Sequence, residues 1–287
     1  MHIILGATGH VGSAVAMALL DRHQPVTVVT RDLAKAERFT RRGAAAAIAD
    51  IQDSDALHAV LQRGQFAFLL MPPAAPSTDT VSEEKRTMGS IVRALRGTHL
   101  QKVVVQSTYG AQPGDGLGDL GVLYEFEQAV AAVGMRTSVV RAAYYMSNWD
   151  ASLSDARDRG VVDTFFPPDF VLPMVAPADL GAAAARLLTE EIEHTGIRYV
   201  EGPMPYSPED VAGAFAQVLG REVRAVQTPR SAWIAKYASL GFSPAAAESY
   251  ARMTAVTLEH VERPEAPERG RTSLADYINR LVHRAQD

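Results

Sequence analysis

The residues in this chain best spaced to do chemistry are three glycines. Gly6, Gly9 and Gly12 fall in Ile3-Ile4-Leu5-Gly6-Ala7-Thr8-Gly9-His10-Val11-Gly12, directly after a short apolar run and at the mouth of a helical pattern. In that setting Gly6 lets the chain turn sharply out of a strand, Gly9 lets the backbone approach a pyrophosphate, and Gly12 lets the helix pack close to the sheet. The N–H groups of Thr8 through Val11, helped by the positive end of the helix dipole, would then face the anion. A glycine triplet also makes tight turns that hold nothing, but strand, turn and helix here follow in the order a dinucleotide site requires.

The second strand bears on which dinucleotide. It ends Val28-Val29-Thr30-Arg31, with Arg31 where an NAD site carries an acid. A guanidinium there can fork onto a 2′-phosphate and stack on adenine. Thr30 can donate to the same phosphate, and Lys35 can reach it from the next segment. Asp32 is the competing feature, either taking the acidic role or pairing with Arg31. NADP(H) is the expected cofactor, ahead of NAD(H). After the third strand, Asp50 and Ile51 are candidates for the adenine amine and its apolar wall, although Asp50 would serve equally as a loop acid capping a helix. Met71 and Pro72 follow the fourth strand, at the carboxyl end where ligands sit in such sheets, and are expected near the ribose and nicotinamide.

Positioning these groups takes alternating elements. Strand patterns at 3–5, 26–30, 44–49, 66–71, 103–106 and 137–141 alternate with helical ones at 11–21, 33–42, 54–62, 82–96 and 121–132, with Ser54 placed to cap the third helix. Repeated β-α units of this length predict an α/β fold, a doubly wound parallel sheet with helices on both faces. The second half is less regular. Residues 144–170 read as loops and short helices, 179–190 as a helix, 197–200 and 223–226 as strands, and 231–282 as mostly helical. Ser207-Pro208-Glu209-Asp210 is a strong helix start. The expected organisation is a dinucleotide-binding domain over 1–142 and a smaller α+β substrate lobe over 143–287, with segments near 171–200 returning to the sheet.

Composition narrows the function classes. Of 287 residues, 47% are hydrophobic and 21% charged, enough apolar material for a buried core. A net charge of -5 gives no reason to expect nucleic acid or an anionic membrane as partner. With no cysteine, disulfides, thiolate metal sites and a cysteine nucleophile are excluded. The histidines are scattered without metal-ligand spacing, so no metal is expected. No Gly-x-Ser-x-Gly elbow suggests an α/β-hydrolase. No apolar run is long enough for a spanning helix, and the expected location is cytoplasmic. The aromatics Tyr144, Tyr145, Trp149, Phe165, Phe166 and Phe170 would line a pocket for a flat substrate or fill the small lobe's core. The glycine-rich stretch 110–121 reads as a flexible loop or a lid.

The Gly-Ala-Thr-Gly-His-Val-Gly turn, Thr30-Arg31, and Ser107-Thr108-Tyr109-Gly110 resemble the atypical short-chain dehydrogenases/reductases. Within them the chain is similar to the NmrA-like group, as are its stretches 127–134, 139–145 and 175–180. The resemblance fades after about Gln227. It implies a Rossmann sheet with a small carboxyl-terminal substrate lobe, in a group of NADPH-dependent quinone reductases, triphenylmethane-dye reductases and redox-sensing regulators. Position by position, it implies that Gly6, Thr8, Gly9, His10, Val11 and Gly12 hold the diphosphate and Arg31 the adenosine phosphate. Met71 and Pro72 would lie near the ribose, Ser107 beside the nicotinamide, and Tyr144 at the substrate pocket.

Standard members of that superfamily carry Tyr-x-x-x-Lys on the helix after the fifth strand, the lysine acidifying the tyrosine so that it donates a proton. Here the lysines are Lys35, Lys85, Lys102 and Lys236, and none has a tyrosine four residues before it. The matching helix carries Tyr124 and, four residues on, Gln128. Gln128 can bond a ribose hydroxyl but cannot acidify a phenol by charge. Ser107, Tyr124, Gln128 and Tyr144 are therefore the candidate catalytic set. The expected reaction is hydride transfer to a planar conjugated acceptor such as a quinone, and the alternative is a non-catalytic NADP(H) sensor. The expected partners are a small-molecule substrate, and either a second copy of the chain or a regulatory protein.

Overall fold

The structure is a computed structural model and describes residues 1–284. Its first half is built on β-branched and apolar runs that leave almost no polar face. Strands β1 (His2–Ile4) and β2 (Val26–Thr30) are buried at every position, as strands covered on both faces must be. They are followed by β3 (Ala45–Ile48), β4 (Phe66–Leu69), β5 (Lys102–Thr108) and β6 (Arg136–Ala142). The helices between them are α1 (His10–Asp21), α2 (Glu37–Thr40), α3 (Ser54–Leu61), α4 (Thr80–Leu95) and α5 (Asp119–Ala131).

The second half runs β7 (Tyr144–Tyr145), α6 (Leu153–Asp158), β8 (Val161–Thr164), β9 (Leu172–Val175), α7 (Pro177–Thr189), β10 (Gly196–Glu201) and β11 (Pro205–Tyr206). It continues with α8 (Pro208–Leu219), β12 (Arg224–Gln227), α9 (Trp233–Ser239), α10 (Pro244–Glu259), β13 (Glu268–Arg269) and α11 (Leu274–Arg284). Helix α8 starts as its sequence signals: Ser207 Oγ accepts from the Asp210 N–H at 3.2 Å, and Asp210 Oδ2 accepts from the Ser207 N–H at 2.8 Å.

Eight strands pair in the order β13-β10-β6-β5-β4-β1-β2-β3, and every pairing is parallel. This is the doubly wound Rossmann arrangement. The chain lays strands on one side of β1 and then, from β4, on the other. A crevice opens at that reversal, above the carboxyl ends of β1 and β4. One apolar core fills the face under α1 and α7, and a second the face under α3, α4 and α5. A third, with Trp149, Met174, Phe215 and Ile278, lies under α8 and α11 beside the two small sheets β11-β9-β7 and β12-β8.

Several local expectations need correction. The single helix expected at 33–42 is a 3₁₀ turn over Leu33–Ala36 followed by the one-turn α2. Asp53, not Ser54, caps α3, accepting from the N–H groups of Asp55 and Ala56, because it sits one residue ahead in extended backbone. Within 171–200, α7 and β10 join the large sheet's layers, whereas β9 pairs in a small sheet. The later β13 also pairs with the large sheet, beside β10.

Candidate functional site

The glycine turn lies at the carboxyl end of β1, with each glycine under a different constraint. Gly6 has φ +66, and a Cβ there would stand 2.8 Å from Leu70 Cδ2. A Cβ on Gly12 would fall 2.3 Å from the Gly6 carbonyl oxygen, so helix and turn could not close. Gly9 differs: its φ of -92 and ψ of -178 suit any residue, and the nearest atom to a Cβ is 3.5 Å away. Neither backbone nor packing demands glycine at that position. Thr8, Gly9 and His10 are exposed, while Val11 and Gly12 are buried. Helix α1 has no side-chain cap and no acid in its first turn, which leaves its leading N–H groups open to an anion. His10 Nε2 lies 3.8 Å from Asp150 Oδ2, and Asp150 Oδ1 accepts from the Tyr277 hydroxyl at 2.7 Å.

Arg31 and Lys35 are exposed beyond the end of β2, and neither forms an ion pair among the described residues. Asp32 is committed to the backbone, its Oδ1 accepting from the Ala34 N–H at 2.9 Å. Asp50 likewise accepts from the Gln52 N–H at 2.9 Å, closing its own loop, while Ile51 packs against the second core.

Past the end of β4 a cavity of about 530 Å³ opens between the large sheet and the segments that carry residues 144–173 and α9–α10. Met71 and Pro72 line it, as do Thr108 and Tyr109 at the end of β5. Tyr144, Tyr145, Phe165 and Phe166 form one aromatic wall, and Tyr237, Phe242 and Tyr250 of the α9–α10 region form another. Phe165 stacks on Tyr237 at 4.4 Å between ring centroids, which joins the two walls. Trp149 and Phe170 pack in the third core instead. The aromatics from α9 and α10 escape sequence reasoning because long helical runs hold them more than sixty residues beyond their partners. Stretch 110–121 packs against α10, where Arg252 Nε donates to the Gly116 carbonyl at 2.9 Å.

Two carboxyl groups stand in the same wall. Glu84 of α4 is 2% exposed, and its Oε1 accepts from the Ala74 N–H at 3.0 Å. Asp119 begins α5 and lines the same cavity, where its charge bears on Glu84. Neither forms an ion pair with a cation among the described residues. Burial, then mutual repulsion, raises Glu84 well above the usual carboxylate range; burial also raises Asp119. Glu84 was legible in principle, because Thr80, Glu84, Thr87 and Ile91 form the buried helical stripe of α4, where an acid is out of place.

The cavity tyrosines move the other way from an activated phenol. Burial pushes Tyr144 up to about 12. Burial raises Tyr145 and Tyr250 too, and the charge of Asp119 adds to both.

The expected catalytic set is not brought together. Ser107 is fully buried and donates to Glu127, whose carboxylate takes a bidentate grip from Arg141 at 3.0 and 2.8 Å. Strand alternation turns Ser107 toward α5, and Thr108 lines the cavity in its place. On α5 the cavity takes Asp119, Leu120 and Leu123 from the first turns. Tyr124, half-buried, lies outside that lining, and Gln128 is exposed one turn farther on. Of the four, only Tyr144 faces the cavity.

Comparison with known proteins agrees with this architecture. An NAD(P)H azoreductase of Xenophilus azovorans is 26% identical over 228 residues, 79% of this chain and 76% of the relative. An NADPH-dependent quinone oxidoreductase of Escherichia coli, solved with NADPH, superposes with a TM-score of 0.81 at 22% identity, covering 98% of this chain and all of that one. The triphenylmethane reductase of a Citrobacter species gives a TM-score of 0.81 at 16% identity, over 98% and 99% of the two chains. The NmrA-like family description matches residues 2–265, so the chain, with its Rossmann sheet and glycine turn, belongs to the NmrA-like family.

Proposed function

We propose that the protein is an NADP(H)-dependent reductase that transfers hydride to a planar, conjugated acceptor. The observation that carries this reading is the aromatic-walled cavity at the carboxyl end of β4, whose lining begins at Met71, one residue past the Leu70 side chain that packs on Gly6 of the glycine turn. Bound dihydronicotinamide would supply the hydride. The chain's own residues do the rest. The turn from Gly6 to Gly12 and the open N–H groups of α1 hold the diphosphate. Arg31, with Lys35, engages the 2′-phosphate. Met71 and Pro72 border the ribose and direct the nicotinamide into the cavity, with Asp50 and Ile51 flanking the adenine. Facing aromatic walls favour a flat acceptor and exclude water from it.

The related proteins' names describe reductases of azo compounds, quinones and triphenylmethane dyes, three acceptors of one shape class. The deciding experiment follows NADPH oxidation against a panel drawn from those three classes. Turnover with at least one is expected. Tight cofactor binding with no turnover would instead favour a nucleotide-sensing protein.

A further inference from the structure

With no Tyr-x-x-x-Lys pair in the sequence, a proton for the acceptor has to come from another group at the cavity. Reducing a quinone or an azo bond takes a hydride and a proton. Tyr144, Tyr145 and Tyr250, all in the cavity wall, are made weaker acids by burial, the opposite of what a donor at neutral pH needs. The two carboxyls behave differently. With both ionised, Glu84 Oε2 and Asp119 Oδ1 are buried with no hydrogen-bond donor at all. That would leave two like charges in an apolar wall without a cation, an arrangement a low-dielectric site does not tolerate. One proton between them gives each carboxyl a partner and leaves a single charge. Around the pair stand Tyr145 from β7 and Tyr250 from α10, with His260 and Glu262 in the lining beyond α10.

We propose that Glu84 and Asp119 share one proton and deliver it to the acceptor as hydride arrives; this rests on the reductase reading above. In the step, a C–H bond of the dihydronicotinamide breaks with its electron pair and a new bond to hydrogen forms on the acceptor. The dihydronicotinamide is oxidised and the acceptor reduced. The acceptor's remaining oxygen or nitrogen, now an anion, takes the shared proton as the carboxyl O–H bond breaks. The pair then recovers a proton from solvent.

Two measurements test this. The first needs no turnover: infrared difference spectroscopy of the whole protein at neutral pH should show a protonated carboxyl band that is lost in both Glu84→Gln and Asp119→Asn. Absence of that band from the wild type overturns the proposal, whatever the enzyme's activity.

The second compares acceptors. A quinone or azo dye needs the proton, whereas a cationic triphenylmethane dye is neutralised by hydride alone. Glu84→Gln should keep the bond from the Ala74 N–H. It should lower kcat for the quinone or azo dye by about a hundredfold, the usual scale of general-acid catalysis, and the loss with the triphenylmethane dye should be smaller by about tenfold or more. Wild-type kcat for the proton-requiring acceptor should fall on the alkaline side, and the variant should lose that limb. Equal loss with both acceptors would assign Glu84 a structural role and overturn the proposal. So would loss of the alkaline limb in His260→Ala with Glu84→Gln unaffected. Failure of the wild type to reduce any acceptor would instead remove the reductase reading and leave the infrared result to decide whether the proton is shared.

Discussion

Asp32 and Arg31 are neighbours with opposite assignments. The Asp32 Oδ1 accepts from the Ala34 N–H, and among the described residues Asp32 forms no ion pair with Arg31. The Arg31 guanidinium is exposed past the end of β2 and forms no ion pair among the described residues, and under the proposed function it takes the 2′-phosphate. A charge-assisted bond of this kind contributes about 1.5–3 kcal/mol. Arg31→Ala should weaken NADPH binding by roughly tenfold or more in calorimetric titration and leave NADH binding unchanged; equal weakening of both would remove the phosphate contact. A different group of residues holds the fold. Glu127 is 3% exposed and bonded to Ser107 and Arg141, so Glu127→Ala would remove the buried guanidinium's bidentate partner and leave it the Tyr199 hydroxyl and, at 3.9 Å, Glu262. The expected cost is about 3–5 kcal/mol, read from urea denaturation. Sequence could nominate Ser107 from its place after the fifth strand. It could not show which way the side chain turns, because the partner lies twenty residues away on α5.

Elements were most legible where pattern and periodicity agreed. The β-branched run 26–30 and the Ser207-Pro208 helix start are strong local signals, and the structure forms β2 and α8 there. Weaker signals misled at 33–42, where the early turn tightens to 3₁₀, and at residues 53 and 54, where adjacent Asp and Ser compete for one cap. The cavity's far wall was illegible because it is assembled by docking α9 and α10, and no local pattern encodes that placement. Close packing can be tested on α7. A Cβ on Gly181 would meet Ala14 backbone carbon at 2.5 Å, so α7 rests directly on α1 only because residue 181 is glycine. Gly181→Val should cost about 1–3 kcal/mol and should also weaken NADPH binding, since α1 carries the glycine turn. A variant that melts with the wild type would show that the two helices separate without penalty.

At the scale of the whole molecule, the buried acid pair links stability to pH. Glu84 is raised in the folded state above its unfolded value, so the fold holds a proton that the unfolded chain releases more readily. The associated stability is complete in acid below the unfolded carboxylate range and is lost as pH climbs through the raised folded value. Thermal unfolding should show the melting temperature falling as pH rises from the ordinary carboxylate range to about 8 and levelling beyond it, with a shallower slope over that window in Glu84→Gln; an unchanged slope would contradict the assignment. The Rossmann layers were readable from alternating β-α signals, whereas the convergence of Glu84, Asp119 and eight Tyr and Phe side chains on one cavity required the folded chain.

The central claim is that the turn from Gly6 to Gly12 holds a nicotinamide dinucleotide. The most direct test is thermal denaturation of the wild type and Gly9→Ala with and without saturating NADPH. The structure leaves room for a Cβ at residue 9, so without ligand the two proteins should melt together. NADPH should stabilise the wild type by about 2.7 kcal/mol at a hundred times its Kd and protect the variant much less, because the added methyl occupies the diphosphate's place. An unprotected wild type, or equal protection of both proteins, would contradict the account.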